Sequence, residues 1–297
     1  GFIMSGIEVL NISQRKLASY PELQISKKVV NTEAMLYLHA YKNKWMGAQE
    51  LLKIFYDNSP VKMNDKLYII TKLIELNDKI KMDELVFPKA LISVDNILSG
   101  YSMPWIKDNV NLILYLHNPN VTNEIKLNYL KEILKILTKL EQKQSGFVDK
   151  FYLGDIHEAN FIFDLDEQIV KAVDLDGGYF KGALAPESKF LSFNKNLCGL
   201  PNRYPTDSRN ERYIANMNTT YLSFVYIFLN SISMDKSYKW DYETYYRYID
   251  YLDSLGVNSA LVQKLGNVFS NESNFTFNIE LLDDFDTDKD YTLKKVR

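Results

Sequence analysis

The sequence predicts an α+β protein with a small, antiparallel, β-rich N-terminal part and a mainly helical C-terminal part. Two observations lead there. Between residues 34 and 106 the apolar residues fall into short runs, 34–40, 50–56, 86–94 and 97–106, divided by turn residues such as Asp95-Asn96. Short runs bounded by turn residues are the mark of strands. Beyond residue 110 the apolar residues instead recur at helical spacing over 123–142 and 242–255, while 218–232 reads as an apolar helix and 261–269 as another short one.

Residues 4–30 carry no clear pattern, although 13–20 read as a short helix or an added strand. Residues 34–40 are the first clear strand, and 50–56 (ELLKIFY) are the second, with Lys53 set amid Leu51, Leu52, Ile54 and Phe55. Residues 64–76 are apolar at 67, 69, 70, 73, 74 and 76 and are expected to form one helix within the β-rich part. Residues 111–116 read as a short helix. The long amphipathic helix over 123–142 has Asn123 as its candidate cap and a stripe of Leu127, Leu130, Ile133, Leu134, Leu137 and Leu140. From Gly178 to about Arg212 the chain reads as a long loop rich in glycine and proline, and 283–290 as a solvated acidic run.

Bulk properties narrow the function classes. With 297 residues and a hydrophobic fraction of 46%, the chain can build one large or two modest domains. A net charge of −3 and a pI near 5.8 argue against a general binder of nucleic acid or anionic membrane. The single cysteine, Cys198, excludes an internal disulfide framework and fits a cytoplasmic protein. No apolar run has the length of a membrane span.

The most informative stretch is 151–178, FYLGDIHEANFIFDLDEQIVKAVDLDGG. Asp155 and Asn160 lie in a loop. Two apolar runs, 161–163 and 169–173, follow around a polar turn, and Asp174 ends the second run. A hairpin of this kind brings Asn160 and Asp174 towards one end. An amide oxygen and a carboxylate suit magnesium, which takes few protein ligands and completes its shell with phosphate and water. Asp176 competes with Asp174 for that role; the reading prefers Asp174 and leaves Asp176 as a surface or outer carboxylate.

LGDIHEANFIFD followed by VDLDG resembles the catalytic and metal-binding loops of the protein-kinase-like superfamily, H-R-D-x-x-x-x-N and then D-F-G. The resemblance implies a bilobal fold with an N-lobe at 1–106 and a C-lobe at 107–297, using ATP and Mg2+. It implies Asp155 as the catalytic carboxylate, Asn160 and Asp174 as metal ligands, and Lys53 as the lysine that holds the α- and β-phosphates. By the same resemblance Glu75 partners that lysine, Met103 takes the gatekeeper-like place, and Trp105 and Ile106 carry the hinge that meets adenine.

Departures from the family pattern bear on the substrate. The segment Asn31-Thr32-Glu33-Ala34 stands where a glycine-rich loop is expected. Leu153-Gly154 replaces the His-Arg before the catalytic Asp, which speaks against activation by loop phosphorylation. Ala185-Pro186-Glu187 copies the motif that ends an activation segment, but lies only eleven residues past Asp174. GDIHEAN is similar to the G-D-L-H-P-G-N loop of aminoglycoside- and choline-type kinases. The expected function is an atypical bacterial-type Ser/Thr protein kinase, with a small-molecule alcohol kinase and a catalytically silent binding scaffold as alternatives.

Overall fold

The computed structural model describes residues 2–4, 6–23, 33–39, 50–154, 156–180, 204, 206–207, 212–213, 215–270 and 274–296. Asp155, Asn31, Thr32 and the Ala185-Pro186-Glu187 motif lie outside the described residues. The chain is α+β and divides into two compact units. The first comprises Gly1–Asn109, Asp164–Asp166 and Lys171–Asp176; the second comprises Val110–Phe163, Glu167–Val170 and Gly177–Arg297.

The first unit is built on a six-stranded mixed sheet: β1 (Phe2–Met4), β2 (Ile7–Ile12), β3 (Ala34–His39), β4 (Glu50–Phe55), β5 (Ala90–Val94) and β6 (Ile97–Pro104), in the order β1-β2-β5-β6-β4-β3. Only β2 and β5 pair in parallel; the other neighbours are antiparallel. Strand β2 falls where the sequence pattern was weakest. Its partner register, Val9 with Leu91, joins residues distant in sequence.

Side chains alternate across a strand, so β4 feeds both faces of the sheet. Leu51 and Phe55 join a core with Met63, Ile70, Leu91, Tyr101 and Met103. Leu52 faces the other way, packing with Leu17, Ile92 and Val94. Helix α1 (Gln14–Ala18) supplies Leu17, and helix α2 (Pro60–Ile80) supplies Met63 and Ile70. Helix α2 starts earlier than the apolar pattern indicated because Pro60 sits in its first turn, where a missing N–H is harmless. Each fully buried aliphatic side chain on these faces contributes about 1.5–3 kcal/mol.

The second unit is mainly helical: α3 (Ile113–Leu116), α4 (Asn123–Lys143), α5 (Met217–Ser233), α6 (Tyr242–Ser254) and α7 (Ser259–Gly266). The cap of α4 is Thr122 rather than Asn123; its hydroxyl accepts from the Ile125 amide at 3.3 Å. Helix α5 is buried along nearly its whole length and on every side, as expected of a helix that is apolar all round. Asn216 and Thr219 close its start in a reciprocal capping box. Phe277 and Phe285 pack on it against Phe224 and Phe228, with ring centroids 5.2 and 5.6 Å apart respectively.

Strands β7 (Asn109–Asn111), β8 (Phe161–Asp164) and β9 (Ile169–Ala172) form a small sheet that contains the hairpin expected after Asn160. Two-residue strands β10 (Thr206–Asp207) and β11 (Arg212–Tyr213) pair with each other. Among the described residues, no helix is long and apolar enough to cross a membrane.

Candidate functional site

The pleat of β4 that buries Leu51 and Phe55 turns Lys53 inward with them, and its side chain is only 3% exposed. Tyr101 stands directly opposite Lys53 in the β4–β6 register. After β9 the chain leaves the sheet through Asp174, whose φ of 57° is in the left-handed region, and turns through a 3-10 segment, Leu175–Gly177. Such a backbone angle in a non-glycine residue is uncommon and clusters at functional positions. It allows both Asp174 and Asp176 to reach the same lysine.

Lys53 Nζ lies 2.9 Å from Asp176 Oδ1, 3.5 Å from Asp174 Oδ1 and 3.9 Å from Glu33 Oε2. The Tyr101 hydroxyl donates to the same Asp176 Oδ1 at 2.6 Å. The other oxygen, Oδ2, accepts from Lys66 of α2 at 3.1 Å. Lys66 also meets Glu33 Oε1 at 3.0 Å, and Lys62, one turn earlier on α2, lies 3.6 Å from that oxygen. The Phe55 ring lies near both inner lysines, 5.5 Å from Lys53 Nζ and 5.3 Å from Lys66 Nζ, within cation–π range.

These contacts fix the protonation states. Burial works to lower the Lys53 pKa, but Asp176, then Tyr101, Asp174 and Glu33, hold it well above the ordinary lysine value. Lys66 is raised in the same manner: burial opposes charge, and Asp176 and Glu33 prevail. For Asp176, burial pushes the carboxyl up; Lys53, Lys66 and the Tyr101 hydroxyl outweigh it and hold the group far below the usual carboxylate range. Tyr101 is raised well above 10.0, first by burial and then by the adjacent Asp176.

Two expectations need correction. Asp176 is not a surface carboxylate: it is 2% exposed and is the nearest acidic partner of Lys53. The reason is the turn after Asp174, which folds Asp176 under the sheet. Glu75 does not occupy the position beside the lysine. It lies exposed on α2, and Lys66 is the α2 residue that reaches Asp176, the nearest carboxylate to Lys53. Asp174 keeps the more open carboxylate, 40% exposed. Met103 is buried in the core beside Tyr101, and Trp105 and Ile106 pack against the same core, partly covered.

Asn160 belongs to the second unit and sits at the end of a 3-10 turn, Glu158–Asn160, with 9% exposure. The turn is held from several sides. The His157 ring accepts from the Ala159 amide at 3.2 Å, and Asn111 donates to the Ala159 carbonyl at 2.8 Å. Buried Glu158 pairs with His117 Nε2 at 2.8 Å and accepts from Asn230 at 3.0 Å. Asn230 in turn accepts from the Ser237 hydroxyl at 2.6 Å. Burial pushes the Glu158 carboxyl up, yet His117 and Asn230 hold it below its ordinary value.

No family model matches this chain, and no curated protein matches its sequence. The chemistry is therefore read from the side chains. Among the described residues there is no group of three or more His, Cys, Asp or Glu set to hold a metal ion by themselves. Asp174 fits magnesium of the kind that rides on phosphate, since such an ion needs only one or two carboxylates from the protein. Asp176 fits it poorly, because both its oxygens already serve cations or the Tyr101 hydroxyl.

Sequence reasoning passed over Lys66, Lys62, Tyr101 and Glu33. A signal for Lys66 existed: Met63, Ile70 and Leu73 form the buried stripe of α2, and Lys66 stands in the middle of it. A charged residue at a stripe position implies a buried partner.

Proposed function

We propose that the chain is a magnesium-dependent ATP phosphotransferase of bilobal, protein-kinase-like fold, with a protein Ser/Thr hydroxyl as acceptor. The observation that carries the proposal is the buried Lys53 ammonium facing Asp174 and Asp176, residues more than a hundred positions away that follow the motif-bearing hairpin. A lysine held inward against a carboxylate is what anchoring a polyphosphate requires.

In this reading Lys53 holds the α- and β-phosphates, and the backbone near Met103, Trp105 and Ile106 meets adenine. Asp174 would hold Mg2+, which when bound would neutralise charge on the phosphate oxygens. Asp155 aligns the acceptor hydroxyl and takes its proton as the new O–P bond forms and ADP leaves. The Glu158–His117–Asn230 network keeps the segment bearing Asn160 in one conformation, so that positioning costs little at the moment of reaction.

A second reading keeps the site and changes the acceptor to a small alcohol or amino sugar. It is favoured by the GDIHEAN loop, in which His157 caps the turn through the Ala159 amide. Incubation with radiolabelled ATP, of the protein alone and with a cell lysate, separates the two: label in protein bands supports the first reading, and label only in small molecules supports the second. Asp155→Ala is expected to abolish transfer while ATP binding persists. Transfer at the wild-type rate by that variant would remove Asp155 from its role. A thermal shift with ATP that is the same with and without magnesium would return the chain to a binding scaffold.

A further inference from the structure

We infer that Lys53, Lys62 and Lys66 form an anion site for the phosphate tail of a nucleotide, and that Glu33 is its internal tenant, displaced when phosphate enters. The inference rests on the phosphotransferase reading for the identity of the nucleotide. The site itself stands on geometry within the first unit.

Three ammonium groups from two elements converge on one carboxylate. Lys66 and Lys62 lie 3.0 and 3.6 Å from Glu33 Oε1, and Lys53 lies 3.9 Å from Oε2. They form a graded wall, with side chains 3%, 13% and 45% exposed for Lys53, Lys66 and Lys62. Lys62 and Lys66 are four residues apart on α2, so they project from one face. Asp176 grips Lys53 and Lys66 from the buried side, one on each oxygen. Their ammonium groups therefore stay in place when Glu33 leaves.

Glu33 has the properties of a removable occupant. Its side chain is about one-third exposed, and it stands just before β3 at the edge of the sheet. Among the described residues, the three lysines are balanced by Glu33, Asp174 and Asp176. Displacing Glu33 leaves one unmatched positive charge on the three lysines. A phosphate tail carries more negative charge and more acceptor oxygens than one carboxylate, and lysine binds phosphate as a point charge. Glu33 also falls in the Asn31-Thr32-Glu33-Ala34 segment, where a glycine-rich loop would otherwise offer amides. Here side-chain ammonium groups take over that task.

The test is calorimetric titration of the full chain with inorganic tripolyphosphate, without magnesium, at low salt. Glu33→Gln is expected to tighten binding about tenfold, because three partly exposed ion pairs with the resident carboxylate are removed. Lys66→Met is expected to weaken binding about tenfold or more, and Lys62→Ala about threefold. Lys62 is the most exposed of the three, so its variant reports even where Lys66→Met does not fold. Unchanged affinity in both Glu33→Gln and Lys62→Ala would overturn the inference. Phosphate transfer from MgATP, measured in parallel, separates the two ideas. Transfer with no response of tripolyphosphate binding to these substitutions sinks the anion site alone. The expected response in a protein that transfers nothing sustains the site and retires the kinase reading.

Discussion

Replacing Asp176 by Asn tests whether a buried carboxylate organises the candidate site. The amide has the same shape but no charge, so Lys53 and Lys66 each lose their most buried anionic partner. Removing one member of a buried ion pair costs about 3–5 kcal/mol, because the remaining charge is left in a poorly solvated place. The structure puts the expected loss at the lower end. Lys53 keeps Asp174 at 3.5 Å and Glu33 at 3.9 Å, Lys66 keeps Glu33 at 3.0 Å, and Tyr101 can still donate to the amide oxygen. About 3 kcal/mol is therefore expected. With an m-value of about 2 kcal/mol/M, that loss appears in urea unfolding as a midpoint lower by about 1.5 M. Asp174→Asn is the matched control: its side chain is 40% exposed and its pair with Lys53 is longer, so the loss is expected to stay below about 1 kcal/mol. The two variants also part in function, since Asp174→Asn is expected to lose magnesium-dependent stabilisation by ATP while remaining folded. Equal losses of stability in the two variants, or a loss below about 1 kcal/mol for Asp176→Asn, would refute the reasoning.

Acid should act through the same carboxylate. Asp176 is held far below the usual carboxyl range in the folded state and returns to about 4 on unfolding, so the folded state binds fewer protons in that window. Its contribution is complete above the unfolded value and drains away as pH falls towards the folded one. Urea midpoints taken from about pH 5 to pH 2 should therefore fall more steeply for the wild type than for Asp176→Asn; Glu158, also depressed, leaves a residual slope in both. Parallel slopes would assign the acid sensitivity elsewhere. Gly100→Ala should destabilise by more than about 2 kcal/mol and weaken stabilisation by ATP, because the new methyl would collide with the Lys53 carbonyl oxygen across the β4–β6 pair and neither backbone can yield cheaply. A urea midpoint within error of the wild type would show that the sheet yields after all.

The elements that could be read from sequence are those whose pattern is local. Helices α4, α6 and α7 declare themselves by their helical spacing, α5 by its long apolar run, and β4 and the β8–β9 hairpin by short apolar runs between polar turns. Strand β2 did not, since its exposure alternates imperfectly and its parallel partner β5 is supplied by a distant part of the chain. At the candidate site the same limit applies more sharply. Lys53 could be singled out as a lysine among apolar neighbours, but whether it faced in or out depended on which face of the sheet α2 covers. Asp174 and Asp176 are alike in sequence; one left-handed residue and a 3-10 turn make one open and the other buried. The resemblance to kinases directed attention to Glu75, a carboxylate on the helix, to balance the lysine. In this chain the helix contributes a second cation, Lys66, and the balancing carboxylate comes from the far end of the hairpin. The sign of the charge at position 66 follows from that exchange. With Asp176 already beneath the sheet, a glutamate on the inner face of α2 would have set two carboxylates against one buried lysine, whereas a lysine there lets one carboxylate serve two ammonium groups.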